Sequence, residues 1–335
     1  MSEQLNTSFR PRKFSQLIGQ DRITSRIRES LKQRSSASWL FSGESGSGKT
    51  TLGRIMAVSF NCVHQKEFGE PCRDCYKNRF SFDYHEVNAS KDSGKERMEK
   101  IIADANIYPK HGSNCKTYLL DEFQRLSDST QDMLLKLLED SPKTTKWILC
   151  TSEPDEVIRA IWRRVKSYGL EPLKEDDIRK LIRVVLKFTG DSEDKCSPVK
   201  LTESLLENGI TSSGFVVKAI ESRLSGASYE EAAVVEFSST FNPKALLHAV
   251  LKGDWNDTRK ELGSATKEDA RAIRRNLAAY LSVTLIESEN LDDNTGAVAK
   301  AIEKLTDAAG ENSIVLARVR ASCFELCRIF KKNSR

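Results

Sequence analysis

Gly43-Glu44-Ser45-Gly46-Ser47-Gly48-Lys49-Thr50 follows the pattern G-x-x-x-x-G-K-[ST]. Glycines at these places let the backbone curl so that successive N–H groups point at nucleotide phosphates. Lys49 then reaches the outer phosphates, the Thr50 hydroxyl meets a magnesium ion, and Thr51 lies next along the loop. The flanks suit a strand–loop–helix unit. Trp39-Leu40-Phe41 is a short apolar run, and Thr51-Leu52-Gly53-Arg54-Ile55-Met56-Ala57 opens a helix. A glycine-rich turn before an ordinary helix needs no such context.

A second motif lies downstream, Thr117-Tyr118-Leu119-Leu120-Asp121-Glu122. An apolar run ending in two carboxylates is what a nucleotide hydrolase needs opposite its P-loop. Asp121 is expected in the magnesium shell, and Glu122 is expected to polarise a water for attack on the γ-phosphate. Asp-Glu at a strand end is by itself an ordinary polar terminus. Beside a P-loop it favours an ATPase, because simple nucleotide kinases as a rule lack the pair.

Composition sets wide bounds. The 335 residues suffice for two or three domains, and 39% apolar with 30% charged residues describes a soluble protein. No apolar run approaches the roughly 20 residues that span a bilayer. Met1-Ser2-Glu3-Gln4 begins no charged-then-apolar leader, so the expectation is a cytoplasmic protein. The formal charge of +5 permits nucleic-acid binding without requiring it. Eight cysteines are not spaced as a secreted disulfide scaffold, which leaves free thiols or a metal site.

Short apolar runs alternate with amphipathic stretches up to about Tyr168, the pattern of an α/β sheet with crossover helices. The strands are expected at Ser38–Ser42, Tyr84–Val87, Lys116–Leu120, Lys146–Thr151 and Val165–Leu170. After Pro172 the helical pattern takes over, with helices expected at Glu175–Thr189, Leu201–Asn208 and Gly214–Leu224, then a connection over Ser225–Glu236. Five more follow at Ala245–Leu251, Asp257–Leu262, Glu268–Glu287, Ala297–Ala309 and Ser313–Lys331. In the last, Leu316, Val319, Cys323, Leu326, Cys327 and Phe330 fall at helical spacing.

Arg10-Pro11-Arg12-Lys13-Phe14 with Gly19-Gln20 resembles the R-P-x-x-F…G-Q opening of the clamp-loader AAA+ ATPases. Leu126-Ser127, Leu134-Leu135-Lys136, Leu138-Glu139 and Pro142 resemble the helix that follows the Asp-Glu motif there. Within that family the likeness is to the gamma/tau subunits of bacterial DNA polymerase III, with replication factor C small subunits and phage clamp loaders as relatives. It covers roughly residues 8 to 172, and more weakly a collar beginning near Leu246–Leu262. It implies an AAA+ P-loop domain with a parallel sheet over 1–170, carrying a cysteine module at 62–78. A helical lid over 171–230 and an all-helical collar for oligomerisation over 238–335 would follow. The chain ends soon after the collar, as expected of a phage or short bacterial form.

The resemblance also implies roles. Ser152 stands where these ATPases carry a polar sensor of the γ-phosphate. Arg163-Arg164-Val165 stands in place of the Ser-Arg-Cys signature, which makes Arg164 the arginine finger acting on a neighbour's ATP. Arg12 and Ile18 would join the P-loop in holding nucleotide. The lid Arg of the family falls at Val217, three residues after Gly214. Lys218 is adjacent but turned by about 100° on a helix.

Cys62, Cys72 and Cys75 resemble the zinc module that gamma/tau subunits insert after the P-loop helix, and Cys72-Arg73-Asp74-Cys75 is a C-x-x-C knuckle. The fourth cysteine position falls at Asn78, a poor zinc ligand, so a four-cysteine site is excluded. Either His64 completes a three-Cys, one-His set, or the loop is a relic with free thiols. His85 belongs to a strand. Lys91, Lys95, Arg97 and Lys100 follow Asn88-Ala89-Ser90, in the segment that in clamp loaders faces the channel and touches template phosphates. Glu96 and Glu99 also suit an exposed mixed-charge helix.

Together these features imply an ATP-hydrolysing subunit of a sliding-clamp loader, with ATP and Mg2+, partner subunits in a ring or spiral, a clamp and primer-template DNA. The alternatives are a non-hydrolysing structural subunit of such a ring, or a related branch-migration or helicase motor.

Overall fold

The computed structural model describes residues 4–32, 38–79, 83–91, 94–110, 113–140, 142–233, 246, 248–250, 252–264, 273 and 319–328. They fall into two compact units, residues 1–235 and 236–335. Among the described residues, no helix is long and apolar enough to cross a membrane.

The first unit opens with a short helix, α1 (Leu5–Ser8), and α2 (Asp21–Lys32). Strands and helices then alternate as β1 (Ser38–Ser42), α3 (Lys49–Asn61), α4 (Arg73–Lys77), β2 (Tyr84–Asn88), α5 (Lys95–Ala105), β3 (Lys116–Asp121), α6 (Asp128–Asp140), β4 (Thr145–Thr151), α7 (Arg159–Trp162) and β5 (Val165–Gly169). The strands pair in parallel in the order β2-β3-β4-β1-β5. Every expected strand is present to within a residue at either end.

The three central strands are buried on both faces, which explains their continuous apolar runs. Their side chains divide by the period of two. Trp39, Phe41, Leu119, Ile148 and Cys150 join α3 in one core layer. Leu40, Tyr118, Leu120, Trp147 and Leu149 form the other, on the side of α5, α6 and α7. The register aligns like with like: Leu119 lies opposite Ile148, which lies opposite Trp39. Arg54 of α3 pairs with Glu86 of β2, and the Tyr84 hydroxyl donates to the same carboxylate at 2.7 Å, tying the helix to the sheet edge.

The remainder of the unit is a helical cluster of α8 (Glu175–Thr189), α9 (Pro198–Glu207), α10 (Ser213–Leu224) and α11 (Tyr229–Ala232). Three acidic residues in the first turn of α8 complement the helix dipole, and Gly190 closes it at φ 78°. Ile178, Ile182, Val185, Leu201, Leu205, Val216 and Ile220 make its core. The stretch expected as a connection over Ser225–Glu236 instead carries α11. The reason is a capping box: the Ser228 side chain accepts from the Glu231 N–H, and Glu231 reaches back to the Ser228 N–H. Ala232 and Ala233 are thereby buried against the cluster.

The second unit contains a helix over Trp255–Ser264 and a helical stretch over 319–328. Val319, Cys323, Leu326 and Cys327 are buried, as the spacing predicts. Trp255 meets Phe324 edge-on at 4.9 Å, and Thr258 Oγ1 lies 3.2 Å from Cys327 Sγ. Leu316, Phe330, and the helices expected at Glu268–Glu287 and Ala297–Ala309 lie outside the described residues, Ile273 apart.

Candidate active site

The C-terminal ends of β1, β3 and β4 point to one side of the sheet, where parallel α/β proteins gather their ligands. β1 delivers the P-loop there, β3 delivers Asp121 and Glu122, and β4 delivers Thr151 and Ser152. A cavity of about 360 Å³ opens at this edge, lined by the P-loop from Ser45 to Thr51, by Glu122, and by Ser213, Gly214, Phe215, Val217 and Lys218 of α10. Asn6, Phe9, Arg10, Leu17 and Ile18 close another part of its wall.

Gly46 has φ 75° and Gly48 φ 103°, conformations that side chains strain to adopt, and Gly48 caps α3. Lys49 is the first residue of that helix and only 6% exposed. Its ammonium donates to the carbonyls of Gly43 at 2.9 Å and Glu44 at 2.7 Å. Burial lowers its pKa below the ordinary lysine range, against the pull of nearby acidic groups including Glu122 and Asp121. The Thr50 hydroxyl lies 3.0 Å from both oxygens of Asp121, a carboxyl whose pKa burial raises. The Ser47 hydroxyl is buried without a hydrogen-bond partner. A desolvated ammonium, an unsatisfied hydroxyl, and a threonine–aspartate pair at a helix N-terminus are the donor and acceptor set that a phosphate chain and its cation require.

Ser152 Oγ is 3.4 Å from Glu122 Oε2, so the two are together. Gln124, which sequence reasoning does not single out, lies between them and bonds to both. Ile18 reaches the cavity wall. Arg12 does not: its guanidinium sits over the Tyr76 ring at 6.0 Å, because the cysteine module brings that ring within its reach. Arg10, two residues before it, lines the wall instead. Gly43 and Glu44 contribute carbonyls to Lys49 rather than surface to the cavity.

Val217 and Lys218 both reach the cavity, the first buried and the second exposed, with Lys218 Nζ 5.5 Å from the centre of the Phe215 ring. The helix α10 touches the P-loop directly: Gly214 N–H donates to the Gly46 carbonyl at 2.8 Å, and Ser213 Oγ donates to the same oxygen at 3.1 Å. Arg164 lies away from this cavity, paired with Glu139 of α6.

Cys62, His64, Cys72 and Cys75 converge, with one ligand atom from each within 4.8 Å of all the others. Cys62 caps the C-terminus of α3 and Cys72 the N-terminus of α4. His64 Nδ1 lies 3.5 Å from Cys75 Sγ and 3.8 Å from Cys72 Sγ. Backbone N–H groups point at two of the sulfurs, Cys75 at Cys72 Sγ and Cys72 at Cys62 Sγ. The first of these, with further contacts, brings the pKa of the Cys72 thiol down to about 7, while burial raises that of Cys75. This donor set fits a tetrahedral thiophilic ion after a small contraction. Asn78 caps α4 and is outside the cluster, and the His85 ring stacks on Tyr118 instead. Cys115, Cys150 and Cys196 are buried as small apolar residues.

Comparison with known proteins finds likenesses over the part of the chain that carries these features. The family described as "DNA polymerase III, delta subunit" matches residues 19–174. DNA polymerase III subunit gamma of Buchnera aphidicola subsp. Acyrthosiphon pisum is 32% identical over 203 residues, covering 59% of this chain and 56% of that protein. The chain thus spans little more than half of that relative's length. The gamma subunit from Buchnera aphidicola subsp. Baizongia pistaciae is 28% identical over 341 residues, covering 93% and 88%. Among solved structures, a point mutant of Thermotoga maritima RuvB superposes with a TM-score of 0.51 at 13% identity, over 72% of this chain and 80% of that one, a likeness of fold alone. With its P-loop, its Asp-Glu strand end and its 2-3-4-1-5 parallel sheet, the chain is similar to that family over residues 19–174 and to DNA polymerase III gamma subunits over longer stretches, a likeness that supports a clamp-loader AAA+ ATPase.

Proposed function

We propose that this chain is an ATP-hydrolysing subunit of a sliding-clamp loader, one that helps to open a clamp and place it on primer-template DNA. The observation that carries the hydrolytic part is the meeting of Thr50 with Asp121 beside Glu122 at the P-loop cavity. A structural subunit without turnover has no need of all four of Lys49, Thr50, Asp121 and Glu122.

The P-loop amides and the Lys49 ammonium bind the phosphate chain. Lys49 exchanges the Gly43 and Glu44 carbonyls for phosphate oxygens, so the ammonium is already desolvated when ATP arrives. Thr50 and Asp121 hold magnesium, which neutralises phosphate charge. Glu122 orients the attacking water, and Ser152 senses the outer phosphate from β4. Arg164 acts on the neighbouring subunit's ATP, where a guanidinium offsets charge on the transferring phosphoryl group. Through Gly214 and Gly46 the lid follows the state of the P-loop.

Zinc at Cys62, His64, Cys72 and Cys75 would pin α4 to the end of the P-loop helix and fix the module's shape. Lys95, Arg97 and Lys100 lie exposed on α5, suited to phosphate contacts without base readout. The partners are other subunits of a ring or spiral, the clamp and DNA, and the work is done in the cytoplasm. The branch-migration alternative has only a fold-level likeness behind it.

The deciding experiment measures ATP turnover of the chain with its co-purifying subunits. Stimulation by clamp together with primer-template DNA is expected. Indifference to the clamp, with translocation along DNA, would overturn the proposal.

A further inference from the structure

Glu122 is the one non-glycine among the described residues with positive φ, at 54°. The backbone there turns sharply out of β3 into a 3-10 turn over Phe123–Arg125, and Gln124 of that turn is 8% exposed. Its amide nitrogen donates to Glu122 Oε2 at 2.5 Å and to Ser152 Oγ at 2.9 Å. Its amide oxygen accepts from the Thr151 hydroxyl at 2.9 Å, and Thr151 Oγ1 in turn accepts from the Glu153 N–H at 3.1 Å.

The direction of this chain is set by chemistry. An ionised carboxylate offers acceptors only, so the amide must present its NH2 to Glu122. Turning the amide over would put two acceptor oxygens face to face and bring its donors against a Thr151 oxygen that already accepts from Glu153. The polarity therefore runs from Glu153 N–H through Thr151 and Gln124 to Glu122 Oε2. The Ser152 hydroxyl reaches the same oxygen at 3.4 Å. Among the described residues, no hydrogen bond is made to Glu122 Oε1, and Glu122 lines the cavity.

We propose that Gln124 is a positioning residue for hydrolysis: it anchors Glu122 by Oε2 to the end of β4, so that Oε1 is the oxygen presented to the attacking water. The inference rests on the reading of Glu122 given above. An anchored carboxylate loses little freedom when the water is oriented, whereas a free one samples rotamers that miss it. The same amide fixes Ser152, so the sensor strand and the water-orienting group move together.

Three variants of the full chain, each in its assembly, test this. Gln124→Met keeps the length and removes both donors; it is expected to lower kcat on the order of tenfold to a hundredfold. The KM for ATP and the affinity for a non-hydrolysable ATP analogue should stay within about twofold, since no phosphate-binding group is altered. Gln124→His restores an N–H at similar reach and is expected to recover part of the loss. Glu122→Gln is measured alongside. If Glu122→Gln abolishes turnover while Gln124→Met runs at the parental rate, the anchoring role is wrong and the reading of Glu122 stands. If Glu122→Gln itself turns over normally, the reading of Glu122 is wrong. A Gln124→Met variant that loses turnover and analogue affinity together would make Gln124 merely structural. Should Gln124→Met fail to fold, Gln124→Asn, polar but one methylene too short, carries the same expectations.

Discussion

The guanidinium of Arg164 is bound within its own chain to Glu139, the glutamate near the end of α6, and also donates to the Ala160 carbonyl at 2.9 Å. Two features that lie 25 residues apart in the sequence are thus one unit in space. The side chain of Arg164 is 29% exposed and that of Glu139 47%, so the pair is partly open to solvent.

Removing the carboxylate should affect function more than stability. Ion pairs this exposed contribute about 0–1 kcal/mol. Glu139→Ala is therefore expected to melt within a few degrees of the parent, while an Arg164 freed to sample other rotamers loses turnover in the assembled ring. A variant that keeps full ring ATPase activity would show that Arg164 needs no help in pointing.

Lys49→Ala should abolish ATP binding, because a P-loop without its ammonium leaves the phosphate charge uncompensated. Glu122→Gln should bind ATP through the unchanged Lys49, Thr50 and Asp121 and lose turnover. Equilibrium binding of labelled ATP, read beside phosphate release, separates the two. Normal phosphate release by Glu122→Gln would remove its assigned role.

The contact of α10 with the P-loop gives a steric test. A Cβ on Gly214 would stand 3.1 Å from both the Cα and the carbonyl oxygen of Gly46, backbone atoms that yield less readily than a flexible side chain. Gly214→Val should push α10 off the P-loop. Overpacking of this kind costs about 1–3 kcal/mol, equivalent to roughly fivefold to 150-fold in nucleotide affinity if α10 closes on bound nucleotide. Unchanged affinity by fluorescent-nucleotide titration would mean that the P-loop binds nucleotide independently of α10.

The sheet is legible in the sequence because its three central strands are buried on both faces, which writes short apolar runs such as Trp39–Phe41 and Tyr118–Leu120 into the chain. The P-loop and Asp121-Glu122 are legible because phosphate chemistry demands those residues at those spacings. What escapes depends on contacts across the fold. Gln124 acquires meaning only when β3 pairs with β4 and brings Thr151 and Ser152 beside it, 27 and 28 residues away. Arg10 and Arg12 are indistinguishable as cations until Tyr76 draws the second away from the cavity. α11 escapes for another reason: it is one turn long, too short for periodicity, and only its capping box marks it.

Zinc can be tested without reference to activity. Protein purified without added metal should carry about one zinc per chain, as a three-Cys, one-His site binds tightly. Cys72→Ala should lose the metal and destabilise the segment around α4 while still binding ATP. Elemental analysis showing less than about one zinc per several chains would leave four free side chains at this place.

Arg164→Ala should behave unlike every variant above. A finger acts across an interface, so the mutant is expected to bind ATP and to assemble with its partners. Hydrolysis should fall by roughly three orders of magnitude or more, the worth of a guanidinium placed against transition-state charge. Mixing this mutant with Glu122→Gln supplies the sharper measurement. Where the two interleave in one ring, a site that keeps Glu122 receives an intact Arg164 from its neighbour, and part of the turnover should return. Recovery that rises with the chance of such neighbours, as the mixing ratio is varied, is the signature of action in trans. Arg164→Ala assemblies that hydrolyse ATP at the parental rate would remove the trans-acting role, and with it the chief support for a ring whose sites are completed by adjacent subunits.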